Sequence, residues 1–460
     1  MKKAFLTVSV LAAAVALADN PAVSGVHLAK ATGGGYEITY ALENGPAVVT
    51  LDIETRADAE SAWTSVGSSF GRATGDVSRV VSASEGFIAW FPSESFGTKD
   101  LRRVQLRAKV VAWPLDNPPD YMVVSLVADD PQRCTYYERE DLLPHGGVLS
   151  NMMYRTTHLP MRKILAKDIT WTMGSTNEVV GVSGSTVLQV NANAVPHAVT
   201  LEDNYYIGVF EMSQAQCRTV GKSPNVKWGV EGQMRPVDGG YSYNNLRGTT
   251  SETTDTPDPT EGSVIGAFRS RTGIDFDLPT EAQWEFACRA GHGHAFWPDG
   301  TPMVIYRWSG NDSGDPDSMT AAYRVPAIQV FDRYIYNGGA KPKKAGGGIQ
   351  LDTYATSVGP TNATAIAGSF IPNDWGLYDM CGNMTEWCRD WYVSDITALN
   401  GALVADKGGS NSRVIRGGAY RTPATDSRPG YRTASAPSAE YVDYGWTVAG
   451  FRLMAPCIAK

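Results

Sequence analysis

A period-two alternation of apolar and polar positions marks the first third of the chain. Tyr36-Glu37-Ile38-Thr39-Tyr40 and the stretch 48–54 both alternate, with the turn signal Asn44-Gly45-Pro46 between them. Residues 87–91, 104–113 and 121–127 repeat the strand pattern. From 142 to 167 it lapses around Pro144, Gly146, Gly147 and Pro160, which reads as a connection into a second domain. Helical signals in that domain are few but capped. Thr280 and Gln283 form a capping box opening a helix over 281–290, with Gly291 as its C′ stop. Ser213 and Gln216 repeat the device, with a stop near Gly221. The stretch 292–370 has little periodicity, and loops of that length inside a compact domain are usually functional or ion-braced.

Short strands at this spacing predict a small β-sandwich of immunoglobulin or fibronectin-III type over residues 19–165. No catalytic constellation stands in it, so a structural or adhesive role is expected there. The N-terminal apolar run changes the picture of where the chain goes. Lys2 and Lys3 precede an apolar segment 4–15, and Ala16-Leu17-Ala18 is a cleavage signal before Asp19, so residues 1–18 read as a signal peptide. The expectation is a secreted, periplasmic or envelope protein. No later apolar run reaches the roughly 20 residues of a membrane span. The net charge of −8 and the lack of a basic run argue against nucleic acid as a partner. Hydrophobic content of 43% and charged content of 19% are ordinary for a globular chain, while 47 Gly and 26 Pro point to much loop.

Six cysteines (Cys134, Cys217, Cys288, Cys381, Cys388 and Cys457) allow 15 pairings. None forms a C-x-x-C, so zinc and thioredoxin-type readings are weak. No histidine lies beyond His294, and His292 and His294 read as solvated loop residues. No Ser/His/Asp or Cys/His nucleophile set emerges.

Seven segments then occur in one order: Met173-Gly174-Ser175; 205–213; Arg235-Pro236-Val237; 278–287; 375–387; 413–418; and Gly450-Phe451-Arg452-Leu453. Together they resemble the formylglycine-generating enzyme (sulfatase-modifying factor) family. The resemblance implies a loop-rich, C-type lectin-like fold over 169–456, and hence an α+β chain with a β-sandwich in front. It also implies calcium, held by the Asp379 and Glu386 side chains with the Gly382 and Met384 carbonyls. Hard oxygen ligands at close spacing suit that ion. A second calcium site maps onto Asn337, Gly338, Asp352 and Tyr354. For Asp379 and Glu386 a salt bridge is the competing reading, and for Trp387, Trp391 and Tyr378 core packing.

Family enzymes oxidise a sulfatase cysteine with O₂ and a copper ion held by two thiolates. Here those positions carry Thr422 and Ser427. Hydroxyls bind Cu(I) poorly, which argues against copper and against the oxidase. An oxidase would require Cys381 or Cys388 with Cys457 to rebuild a site elsewhere. The helical iron-binding His-x-x-x-His-x-Glu of other superfamily members is missing from the sequence. The expected function is therefore a secreted, calcium-braced, non-catalytic binding protein for a protein or glycan outside the cytoplasm. The alternatives are a divergent oxidase and a structural envelope protein. Arg428, Tyr431 and Tyr444, expected to be exposed, are the candidate recognition anchors. Arg416, Arg432 and Arg452 are expected to be buried ion-pair partners.

Overall fold

The computed structural model describes residues 20–92, 101–174, 194–224, 226, 232–238, 240–248, 258–292, 331, 333–334, 342–345, 348–351, 363–407, 409–420, 422, 426–439, 442–443, 446–447 and 449–459. Among them the chain is mostly β, with four short helices. The N-terminal part builds two sheets. Strands β1 (Ala22–Lys30), β2 (Tyr36–Glu43), β7 (Glu85–Phe91) and β5 (Arg72–Gly75) form one, in the order β1-β2-β7-β5. In the other, β3 (Ala47–Arg56) pairs with β4 (Thr64–Ser65), β6 (Arg79–Val81) and β8 (Gln105–Trp113).

Alternation places one face of each strand inward. Ile38, Tyr40, Leu42, Ile88 and Trp90 from the first sheet share a core with Val49, Leu51, Ile53 and Val110 from the second. Trp90 is wholly buried and donates its indole N–H to the Phe70 carbonyl at 2.6 Å. The turn at Asn44-Gly45-Pro46 does not close a hairpin as its composition suggests. β2 and β3 are not partners, and the turn carries the chain from one sheet to the other.

The next strands belong to a different sheet. β9 (Tyr121–Ser125) joins a second unit, a five-stranded sheet ordered β10-β9-β11-β14-β23, with β10 (Cys134–Tyr137), β11 (His158–Ile164), β14 (Tyr205–Gly208) and β23 (Met454–Pro456). The region read as a connection thus contains the central strand β11. Pro160 and the neighbouring glycines hid it, while β9, buried at all five positions, carries no alternation that would assign it to a sheet. Paired strands β12 (Thr170–Met173) and β13 (His197–Thr200) follow β11.

The helices are α1 (Gln214–Thr219), α2 (Tyr243–Arg247), α3 (Val264–Thr272) and α4 (Glu281–Arg289). Ser213 and Thr280 form the predicted capping boxes, and Ser242 forms a third, with Asn245 at its N3 position. α4 ends one residue earlier than predicted, with Ala290 in the left-handed region (φ 47°) ahead of Gly291 (φ 88°). β15 (Pro342–Ala345) and β16 (Gly348–Leu351) pair with each other. The last sheet, β19-β18-β17-β22, is made by β17 (Thr385–Trp391), β18 (Arg413–Arg416), β19 (Thr433–Ser435) and β22 (Ala449–Gly450). Between β19 and β22, β20 (Val442–Asp443) pairs with β21 (Trp446–Thr447). α4 lies against β17 and β18, and this junction positions the site.

Candidate functional site

Helix α4 presents Glu281 and Glu285 to the interior, and arginines from β18 and from the residue before β19 meet them. Glu285 accepts from Gly174 N at 2.8 Å and from Arg289 Nε at 2.8 Å, and pairs on its other oxygen with Arg416. Burial opposes ionisation of Glu285, but the Arg289 and Arg416 charges and the Gly174 amide outweigh it and hold the carboxyl below its ordinary value. Glu281 pairs with Arg432 and lies 3.4 Å from Arg416. Arg452 reaches Glu386 at 2.9 Å and donates to the Gly208 and Tyr378 carbonyls, both at 2.8 Å. Arg416, Arg432 and Arg452 are all buried, as expected. Trp387 and Trp391 are buried core residues, and Tyr378 packs 5.1 Å from Phe210.

The acidic loop before β17 lies on the other side of Arg452. Asp379 and Asn383 both have positive φ (57° and 60°), which curls this loop tightly. Asn383 ties it to the segment after β14: its amide donates to Glu211 at 2.6 Å and its Oδ1 accepts from Ala365 N at 2.8 Å. Met384 N also donates to Glu211, at 2.8 Å. Asp379 is 2% exposed; Oδ2 accepts from Gly368 N at 2.7 Å and Oδ1 is buried with no hydrogen-bond partner. Burial, reinforced by the Glu386 charge and only partly offset by the Gly368 amide, Arg452 and Arg155, pushes its pKa up to about 6. Asp390 is likewise pushed up to about 6, by burial and by Glu281, against amide hydrogen bonds from Val404 and Glu281.

The predicted calcium ligands Asp379, Gly382, Met384 and Glu386 are thus buried in one loop and the first turn of strand after it. Their fit to calcium is uneven. Asp379 Oδ1 is a buried oxygen of the kind a cation completes. Glu386 already accepts from Arg452 on both oxygens (2.9–3.2 Å) and from Trp284 Nε1 at 2.8 Å. Asp379 thus leaves one oxygen open, while Glu386 is held in an ion pair. The second proposed site, Asn337, Gly338, Asp352 and Tyr354, lies outside the described residues. Among the described residues no group of three or more His, Cys, Asp or Glu side chains is gathered as a metal site.

Beyond β18 the chain turns at Gly417 and Gly418, both with positive φ (98° and 72°). A Cβ on Gly418 would sit 2.8 Å from Asp426 O and 2.8 Å from Ser427 Oγ, so only glycine allows the turn to close. The turn brings Thr422 and Ser427 into one buried corner. Thr422 Oγ1 accepts from Ala419 N at 2.8 Å and donates to Ala419 O at 3.0 Å. Ser427 Oγ is buried and unpartnered. Neither hydroxyl offers the soft sulfur that copper(I) takes, so the pair does not fit that metal.

Arg428 corrects an expectation: it is 3% exposed, with its guanidinium 6.0 Å from the Tyr431 ring, so it is packed rather than displayed. Tyr431 is half-buried, and its carbonyl accepts from Arg416 Nη1. Tyr444 lies outside the described residues. Sequence reasoning missed Glu211, Glu281, Glu285 and Asn383, although Glu281 and Glu285 sit four apart on a helix, the spacing that puts both on one face.

A mostly β domain with few short helices, its charges paired inside and its glycine turn facing a buried corner, is what the fold defines. Residues 170–454 match the family described as "Sulfatase-modifying factor enzyme 1-like domain". The chain belongs to that family. It is 29% identical over 189 residues to a formylglycine-generating enzyme of Thermomonospora curvata, covering 37% of this chain and 48% of that one. It is 27% identical over 256 residues to "Chaperone protein LppX" of Paenibacillus barcinonensis, covering 52% of this chain and 80% of that one. A 92-residue stretch is 36% identical to "Serine/threonine-protein kinase pkn1" of Chlamydia pneumoniae, covering 19% of this chain and 15% of the kinase. The chain therefore spans less than two thirds of two of these three relatives. Among solved structures, PvdO from Pseudomonas aeruginosa superposes with a TM-score of 0.42 at 19% identity, over 65% of this chain and 94% of that one. Treponema denticola variable protein 1 gives 0.38 at 21% identity, over 65% and 96%.

Proposed function

We propose that this chain is a secreted, non-catalytic binding protein built on the formylglycine-generating fold and braced by calcium. The observation that carries it is the corner at Gly418. There the two positions that hold copper thiolates in the family's oxidases are Thr422 and Ser427, and the Thr422 hydroxyl is engaged with Ala419. No thiol stands at either position to ligate copper or to form a mixed disulfide with a substrate cysteine. The N-terminal two-sheet part, of immunoglobulin or fibronectin-III type in this reading, displays the binding domain outside the cytoplasm. Its export rests on residues 1–18, which lie outside the described residues, and among the described residues no helix is long and apolar enough to cross a membrane. The ligand is a protein or glycan that meets the surface after Gly418 at Tyr431 and Tyr444.

The test loads the purified chain with copper(I) and offers it a cysteine-containing sulfatase peptide under air. Neither stoichiometric copper uptake nor aldehyde formation is expected. Uptake of one copper per chain together with peptide oxidation would replace this reading by the divergent oxidase.

A further inference from the structure

Two cysteines that neither the paired-charge frame nor the glycine corner uses lie against each other. Cys288 is in the last turn of α4, and Cys381 is in the acidic loop between Asp379 and Asn383. Their Sγ atoms are 3.5 Å apart, and Cys288 Sγ also lies 3.8 Å from the Met380 carbonyl. Both residues are buried, at 1% and 2% exposure. The helix end is also tied to the segment leading into that loop, since Asn373 Nδ2 donates to the Ala287 and Cys288 carbonyls at 2.9 and 3.2 Å and Asn373 Oδ1 accepts from Leu377 N at 3.1 Å. The backbone is thus fixed with the sulfurs in contact, and turning the side chains would close the gap to a bond of about 2.05 Å.

We propose that Cys288 and Cys381 form a disulfide in the mature protein, clamping the end of α4 to the loop that carries Asp379. The bond forms as the two thiols lose two protons and two electrons to the disulfide of an oxidoreductase or of glutathione, which becomes two thiols. It closes a loop of about 90 residues, a length at which cross-linking restricts the unfolded chain strongly. The alternative use of two apposed sulfurs, a two-thiolate copper(I) site, is disfavoured by the place of the pair. Both sulfurs lie inside a cluster with Ala287, Leu377, Met380 and Cys388. In the cell the bond rests on the export proposed above, because a reducing cytoplasm would keep the thiols apart.

The experiment refolds the full chain in a glutathione redox buffer, alkylates it under denaturing conditions without reductant, and maps the peptides by mass. One linked pair, Cys288 with Cys381, is expected, with the intact mass lower by about 2 Da. Reductant should lower the melting temperature of this material by on the order of 5 °C and leave Cys288→Ser unaffected. Full alkylation of both residues after refolding, or a link from Cys381 to Cys388 instead, overturns the proposal. Copper(I) binding that a chelator reverses and Cys288→Ser abolishes, without a linked peptide, overturns it in favour of the metal. Fractionation of the expressing cells answers the separate question. If the chain is found in the cytoplasm and reduced, while the refolded chain is linked, export is the reading that fails and the pair stands.

Discussion

Two groups of buried carboxylates have their pKa values shifted in opposite directions. Glu285 is as deeply buried as any residue in the chain, yet two guanidinium groups and an amide hold it ionised. Asp379 and Asp390 are buried to a similar degree but accept mainly from backbone amides, and their pKa values rise to about 6. Arg452 lies close enough to Asp379 to lower its pKa, but its guanidinium donates to Glu386, Gly208 and Tyr378. Depth of burial therefore does not decide ionisation here; the direction of the guanidinium donors does. One group is a frame whose charges already have partners. The other contains an oxygen, Asp379 Oδ1, that still needs one.

The largest effect should follow from breaking the frame. Glu285→Gln keeps the shape of the side chain but leaves Arg289 and Arg416 buried beside a neutral amide. Removing one partner of a buried pair costs about 3–5 kcal/mol, a large share of the stability of most domains. Urea unfolding is expected to register a loss of that size, or the variant fails to accumulate folded. A loss below about 1 kcal/mol would mean that the buried ion pairs do not carry the fold, and the contrast with Asp379 would collapse.

Calcium sharpens the other side of the comparison. A ligand that binds only the native state stabilises it by RT ln(1 + [L]/Kd), about 2.7 kcal/mol at a hundredfold excess. Chelation with EDTA is expected to lower the melting temperature accordingly. Because Glu386 is committed to Arg452, Asp379→Asn is the variant that removes the response. Identical melting curves for the parent with and without chelator would take calcium out of the account.

Without calcium, pH gives a smaller signal of defined sign. The native Asp379 pKa, about 6, lies above the ordinary carboxylate value of about 3.9, so between those values the native state binds more protons than the unfolded one. Stability contributed by this group is present at low pH and is lost as pH rises from about 4 to about 6. Asp390 acts in the same direction over the same window. In EDTA, Asp379→Asn should gain on the order of 2 kcal/mol over the parent at pH 7.5 and nothing at pH 4. An equal effect at both pH values would show that packing, not charge, dominates at this position.

How much of this was legible in the sequence follows from the same contrast. Capping boxes depend on residues three apart, and both Ser213 and Thr280 were readable as helix starts. The motif frame carried Arg416 and Arg452 to their buried places. The five-stranded sheet was not readable, because β9 has no alternating face and the sheet's far strands β14 and β23 lie about 80 and 330 residues away in sequence. Pairing at such separations leaves no local mark. The contact of Cys288 with Cys381 was hidden for the same reason, as one of 15 pairings. Arg428 failed differently. An arginine on a loop of small residues reads as a displayed anchor, but the turn at Gly418 folds that loop inward and buries it.

That inward fold narrows the last prediction, which concerns the surface after Gly418 and should change stability least. Replacing Arg428 would test packing rather than recognition, so it is left intact. Tyr431 is half-buried, and its link to the frame runs through its backbone carbonyl to Arg416, which survives truncation of the ring. The Tyr431→Ala/Tyr444→Ala double variant should therefore melt close to the parent, since substitutions away from special features move stability by about 0.5 kcal/mol. A recognition anchor typically contributes more than about 1–2 kcal/mol to binding, which is roughly a 5- to 30-fold loss of affinity. Retention of the parent on an immobilised cell-envelope or glycan panel, with loss of retention by the folded double variant, is the expected result. A variant that melts well below the parent would place these rings in the core with Arg428. Equal retention by a folded variant would move the binding surface away from the Gly418 corner altogether.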